Sequence, residues 1–206
     1  VKALNRMVAS GQLAKLSKGR YYQPENSPFG ELPPSQYQVV KDLLERNGKT
    51  VGYLTGLSIY PELGLSTQVS HTIQIGKNDI RSPFNRGQYK IEFIKQKNTI
   101  TLENIPLLRI LDALRLIKKI PDTPEEVVCR RIREIVNGLP NKEQKRIVRL
   151  ALNYPPATRA ILGALLTDLG KIDHTEILQR SLNPLTTYKF PRISAILPQA
   201  KDWNIT

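Results

Sequence analysis

Cysteine and histidine are nearly absent from this sequence, and their scarcity removes whole classes of chemistry. The one cysteine, Cys129, has no partner for an intrachain disulfide, which fits a reducing, cytoplasmic setting. Its neighbours Val128, Arg130, Arg131 and Ile132 read as helix, with the thiol a small apolar filler. A thiol made reactive by Arg130 and Arg131 is the alternative. The two histidines, His71 and His174, stand in no zinc-type spacing with each other or with Cys129. His71 reads as a packed or half-exposed ring on a strand, and His174 as part of a local cap beside Asp173. Phosphate-cradling and nucleophile signatures are missing too: there is no Walker loop, no Gly-x-Gly-x-x-Gly and no Gly-x-Ser-x-Gly elbow. No metal or cofactor is therefore expected. No apolar run reaches bilayer-spanning length, so no membrane is expected as a partner. Acid is the remaining scarcity. Asp and Glu number 18 against 31 Lys and Arg, a net charge of +13, and such a surplus favours an anionic partner, most simply nucleic acid.

The imbalance is sharpest at the start, where Lys2, Arg6, Lys15, Lys18 and Arg20 precede the first acid, Glu25. Val1, Leu4 and Val8, with Met7 beside them, share one helical face, while Lys2, Asn5, Arg6 and Ala9 share the opposite one. Gly11 suits a left-handed helix end. Residues 13–16 and 20–22 read as short strands around a tip at Ser17, Lys18 and Gly19. A basic helix followed by a hairpin is the pattern of a recognition helix and wing in a winged helix-turn-helix. No scaffold helix precedes it in the sequence, so the winged helix reads as partial and the chain as a piece of a longer protein.

Residues 23–34 are rich in Pro, Gly, Asn and Ser, which places a linker over 25–34 and a domain boundary after residue 24. Beyond it, 35–206 reads as a second domain with an α/β part (35–100) and a mainly helical part (101–206). Ser35 is a candidate N-cap, or Pro34 a first-turn residue, for a helix that Asn47-Gly48 would stop, with Tyr37, Val40, Leu43 and Leu44 inward. An apolar segment (50–54) and a short helix (56–63) follow. Residues 68–75 alternate as a strand with Val69, His71, Ile73 and Ile75 inward, and 89–95 as another with Tyr89, Ile91 and Phe93 on one face. The loop between them carries Lys77, Arg81 and Arg86 against Asp79. From Glu103 the period changes to 3.6. Helices are expected at 105–119, at 124–137 behind an N-cap at Thr123, at 141–153, at 155–169, and at 173–182 capped by Asp173. The tail, 183–206, is punctuated by proline and apolar enough to wrap a surface through Leu185, Tyr188, Phe190 and Trp203. The fold class expected is α+β: a partial winged helix, a small α/β unit and a helical C-terminal region.

Two other constellations compete with DNA binding. Asp79, Glu92 and Lys95 could surround a divalent ion in a nuclease, but Glu92 and Lys95 are three apart and so point to opposite faces of a strand. The basic stretches Arg130, Arg131, Arg133 and Lys142, Lys145, Arg146, Arg149 could serve a scaffold that binds RNA or acidic protein, or be solvated faces of bundle helices.

Four regions carry a family resemblance. NRMVASGQLAKLSKGRYY resembles the recognition helix and wing of AbiEi-type antitoxins from bacterial type IV toxin–antitoxin systems. VGYLTGLSIYPELGLSTQVSHTIQI and ITLENIPLLRILDALR resemble the segments that follow. The tail, LNPLTTYKF and ILPQAKDWNI, is similar to a related subgroup described as a domain of unknown function. The resemblance implies a non-enzymatic autorepressor that binds double-stranded DNA at its own promoter and acts in phage defence. It also implies a functional partner, a nucleotidyltransferase-type toxin, countered without a stable complex. Carried over by position, the DNA contacts are Lys2, Asn5 and Arg6 on the helix and Lys15, Lys18 and Arg20 around the wing.

Overall fold

Helix, glycine stop and hairpin follow one another at the start of the chain, as the pattern requires. The computed structural model describes residues 2–17, 19–28 and 30–206; Val1 and Lys18 lie outside the described residues. Helix α1 spans Lys2–Ala9. Gly11, at φ +73°, donates to Val8 O (3.1 Å) and Gln12 donates to Met7 O (3.0 Å), the paired bonds of a Schellman stop. Strands β1 (Ala14–Ser17) and β2 (Arg20–Tyr22) then pair antiparallel, with an irregularity between Lys15 and Ser17. The 25–34 segment is more ordered than a linker: β3 (Glu25–Ser27) and β4 (Gly30–Leu32) form a small hairpin.

Ser35 begins α2 (Gln36–Leu44) through a capping box, its hydroxyl accepting from Gln38 N at 3.2 Å while Gln38 Oε1 accepts from Ser35 N at 2.9 Å. Two sets of backbone donors are satisfied at once. The helix ends at Leu44, earlier than expected, because Asn47-Gly48 is a hairpin turn and not a helix stop. Both residues have positive φ (51° and 72°) and join β5 (Glu45–Arg46) to β6 (Lys49–Thr50), as a primed turn requires. Val39 joins Val40, Leu43 and Leu44 in the buried stripe, while Tyr37 is left exposed.

Strand β7 (Gly52–Thr55), a 3-10 turn at Gly56–Ser58 and α3 (Tyr60–Leu63) precede the central pair β8 (Thr72–Lys77) and β10 (Tyr89–Lys95). Strand β9 (Phe84–Arg86) falls between these two in sequence but at the edge of the sheet: the four-stranded order is β7-β8-β10-β9, with β8 and β10 parallel and the outer pairings antiparallel. A parallel pair needs a long connection, and residues 78–88 supply it. Strand β8 starts at Thr72, not at 68. Residues 68–71 are not strand, although His71 O accepts from Lys90 N at 3.0 Å; Val69 is 85% exposed, and His71 is exposed with its ring 6.1 Å from that of Tyr89.

The sheet is a middle layer. Leu54, Ile73, Ile75 and Ile91 pack with the buried stripe of α2, while Tyr53 belongs to the core of the helical region. That region comprises α4 (Ile105–Arg115), α5 (Glu125–Gly138), α6 (Asn141–Ala151), α7 (Pro156–Asp168), α8 (Glu176–Arg180) and α9 (Pro191–Ser194). The class is α+β with a helical C-terminal region. Three helix ends differ from the pattern. Pro124, not Thr123, occupies the N-cap of α5, with an extended ψ of 147°. Residues 172–174 form a separate 3-10 turn, so Thr175 rather than Asp173 precedes α8. Helix α4 gives way at Leu116 to a 3-10 turn over Ile117–Lys119.

A buried carboxylate ties the sheet to these helices. Asp112 of α4 is fully buried and accepts hydrogen bonds from Tyr53 Oη (2.7 Å), Thr55 Oγ1 (2.7 Å) and Tyr154 Oη (2.8 Å). Gln96 Nε2 donates to both phenols at 2.8 Å, and Gln96 Oε1 accepts from Asn98. Gly76, opposite Tyr53 in the β7–β8 register, leaves room for the tyrosine ring, which a Cβ there would strike.

The tail closes the helical core from outside. Tyr188 N donates to Asn204 O (2.7 Å) and Thr206 N to Tyr188 O (2.9 Å), while buried Trp203 lies on Gly163 and donates to Thr167 Oγ1 at 3.1 Å. Leu185, expected to pack, is exposed. A Cβ at 163 would overlap the indole, whereas one at 138 would meet nothing within 4 Å. Gly163→Ala should therefore lower stability by about 1–3 kcal/mol through overpacking. Gly138→Ala should raise it by up to about 0.5–1 kcal/mol. Urea denaturation of both variants beside the parent separates these outcomes.

Candidate nucleic-acid interface

Helix α1 has two faces and buries neither completely. Lys2, Asn5 and Arg6 are exposed and lie within about 100° of one another at 3.6 residues per turn. The opposite face carries Leu4 and Met7, each 38% exposed, and half-buried Val8. Among the described residues no carboxylate pairs with Lys2, Arg6 or Lys15, so these cations are available to phosphate.

The hairpin divides its cations. Lys15 pairs across the ribbon with Tyr21 and therefore shares its face, whereas Arg20, adjacent to Tyr21, falls on the other. Lys15 is exposed; Arg20 turns to α2, where its Nη2 meets Asp42 Oδ2 at 3.0 Å. Lys18, the remaining wing residue, is outside the described residues. Thus the structure brings Lys2, Asn5 and Arg6 together, sets Lys15 on the adjoining ribbon, and assigns Arg20 to an ion pair that docks the hairpin. Leu16 adds apolar contact to the same core that α2 packs on.

Asp42 is the residue that sequence reasoning missed. It also accepts from Arg86 Nη1 at 2.6 Å and Nη2 at 3.2 Å, and Arg86 Nη1 donates to Val39 O at 2.6 Å. Arg86 was grouped above with the loop cations, yet it sits on β9 with its side chain only 4% exposed. Its guanidinium lies 5.5 Å from the centre of the Phe84 ring, and that of Arg81 lies 4.7 Å from it. The available signal was an acid set between Val40 and Leu43 of an apolar stripe, in a chain with few acids.

The competing constellations resolve differently. Glu92 is held by Lys90 Nζ (2.6 Å) and Gln74 Nε2 (3.2 Å), and Lys95 Nζ donates to Asn78 O. Among the described residues no group of three or more His, Cys, Asp or Glu gathers as a metal site. Cys129 is buried, and that burial pushes its thiol up to about 12, outweighing Arg130 and Arg133. Of the basic helix residues, Arg131 pairs with Glu134, Arg133 with Asp168 and Arg146 with Glu103, while Arg130, Lys142, Lys145 and Arg149 are exposed. His174 Nε2 meets Asn141 Oδ1 at 2.7 Å, joining the 172–174 turn to the start of α6. Among the described residues no helix is long and apolar enough to cross a membrane.

Burial raises the Asp42 carboxyl, and the hydrogen bonds and charges of Arg86 and Arg20 outweigh it, leaving the pKa below the ordinary 3.8. A depressed carboxylate contributes stability above its unfolded pKa and loses it as pH falls through its folded one. Asp42→Asn should cost about 1–3 kcal/mol at neutral pH. That is less than for a fully buried pair, because Asp42 is 43% exposed. The gap between variant and parent should close as pH falls below the ordinary carboxylate range and through the lowered pKa of Asp42, which denaturation curves from neutral to acid pH would read. A gap independent of pH would detach the effect from ionisation.

Comparison with known proteins bears on the fold and on the family. No curated protein matches the chain. Among solved structures, the RV2827C protein from Mycobacterium tuberculosis aligns with a TM-score of 0.57 at 13% identity, over 93% of this chain and 73% of that one. At that identity the likeness shows a shared fold. The model of a family of unknown function, DUF6088, matches residues 1–147. Since the match takes in the basic helix, the hairpin, the sheet and the first helices of the C-terminal region, this chain belongs to the DUF6088 family.

Proposed function

We propose that this protein is a DNA-binding autorepressor and antitoxin of the AbiEi type, acting in the cytoplasm in a bacterial type IV toxin–antitoxin system against a nucleotidyltransferase-type toxin. One observation carries the DNA-binding part: a Schellman-stopped helix and an antiparallel hairpin present Lys2, Arg6 and Lys15 unpaired, with no acid before Glu25. Exposed cations with no carboxylate beside them attract a phosphate backbone and release its counterions. Asn5 and Arg6 share a face suited to base edges, Asn to adenine and Arg to guanine. The antitoxin part rests on the sequence resemblance, and the separate helical core with its own apolar cluster supplies a body for it.

Binding to the promoter of its own operon should fall with salt at a log–log slope of about −3 to −4.5, corresponding to roughly three to five neutralised phosphates. Lys15→Ala should weaken operator and random duplex alike, because phosphate contacts position without specifying. Asn5→Ala and Arg6→Ala should each cost the operator about 1–3 kcal/mol more than random DNA. Fluorescence anisotropy with both duplexes over a salt series measures all of this, and a flat salt dependence would defeat the DNA reading.

Rescue and repression should separate. Lys2→Ala/Arg6→Ala/Lys15→Ala should abolish repression of a promoter reporter while leaving rescue of cells that express the adjacent toxin. Loss of rescue at unchanged protein level would tie antitoxicity to DNA binding and refute the division.

A further inference from the structure

A cleft of about 410 Å³ opens where the end of β10 meets α4 and the start of α7, lined by Lys95, Lys97, Arg115 and Arg159, with Gln96 and Asn153 between them. We propose that this cleft binds a small phosphate-bearing ligand of the diphosphate class. No carboxylate is among its lining residues, and among the described residues none of the four cations pairs with an acid. The buried Asp112 acts on Arg115 from within α4, but no acid lines the cleft itself, so the cations there repel one another and a polyanion relieves that repulsion.

Their remaining donors are only partly used. Arg115 Nη1 donates to Lys95 O at 3.1 Å, Arg159 Nη1 to Ser181 O at 2.9 Å, and Lys95 Nζ to Asn78 O. Arg159 Nε is shut off from solvent and has no acceptor. The buried, unmatched Nε marks a guanidinium whose hydrogen bonding is incomplete, and its remaining Nη donors are the ones a phosphate oxygen can reach from the cleft. Helix α7 reaches the cleft with Pro155 at its N-cap, no side-chain cap and no acid in its first turn. The positive end of a 13-residue helix therefore points its field into the same space.

Size and layout select the ligand. The volume lies in the range of small-molecule sites. The cations come from the end of β10, the chain just after it, α4 and α7, and so converge on a body from several sides. Two linked phosphoryl groups fit four such cations better than one. None of these elements belongs to the α1–hairpin unit, so the cleft stands apart from the DNA-binding reading.

The test is calorimetric titration of the whole chain with inorganic pyrophosphate at constant ionic strength. Saturable one-to-one binding is expected, weakened roughly tenfold by Lys97→Gln and further by Lys97→Gln/Arg159→Gln. The matched pair Lys142→Gln/Lys145→Gln, which removes equal charge from exposed positions on α6, should leave it unchanged. Because Arg159 also holds Ser181 O, exposed Lys97 decides the matter if the double variant fails to fold. Absence of saturable heat, or equal weakening by the two pairs, would overturn the proposal. So would displacement of pyrophosphate by duplex DNA whose own affinity falls as steeply with Lys97→Gln, since the cleft would then belong to nucleic acid.

Discussion

A single buried carboxylate holds the two halves of the larger body together. Asp112 projects from α4 onto the sheet, and burial lifts its pKa while Tyr53, Thr55 and Tyr154 pull it back by hydrogen bonding. Desolvating a charge is costly unless donors surround it, and here two hydroxyls of the single strand β7 and a loop phenol do so. Burial and the charge of Asp112 push Tyr53 and Tyr154 upward, which keeps both phenols protonated and able to donate. The group therefore works only as a set: removing any one partner leaves the others buried and short of a bond. Gln96, Asn98 and Asn153 extend it outward to the Leu150 carbonyl near the end of α6, so the end of β10 and the end of α6 are positioned by the same chain of bonds.

That chain of bonds also borders the cationic cleft, where Gln96 and Asn153 line the wall between Lys95 and Arg159. On the opposite face of the sheet, Asp42 performs a similar task with opposite charges. It lies between Arg86 and Arg20 and couples the edge strand β9 to the first hairpin. Polar anchoring is strong on both faces, and the apolar residues Ile73, Ile75 and Ile91 fill the space toward α2. The candidate interface, by comparison, is held loosely: α1 contributes no buried residue.

Much of this was legible from period alone. The alternation of Ile73, Ile75, Ile91 and Phe93 placed two strands and the face that packs, and Ser35 marked the start of α2. What escaped was decided by partners distant in the chain. The pattern extended β8 back to residue 68 because a sequence cannot display where neighbouring strands end. Asn47-Gly48 read as a helix stop because the strands it joins are only two residues each. The helix expected to end at residue 137 takes in Gly138 and ends because Pro140 holds Leu139 extended, at ψ 136°. For the candidate interface, the helix face was readable, but the partition of Lys15 and Arg20 required the hairpin register and the position of Asp42, 22 residues further on.

The packing of Trp203 on Gly163 has a spectroscopic meaning. This is the only tryptophan in the chain, and it is enclosed at the seam between α7 and the tail, with its indole nitrogen bonded to Thr167. Its emission thus reports a single event, the seating of the last residues on the helical core. An unlabelled sample carries its own optical gauge of whether that seam is closed.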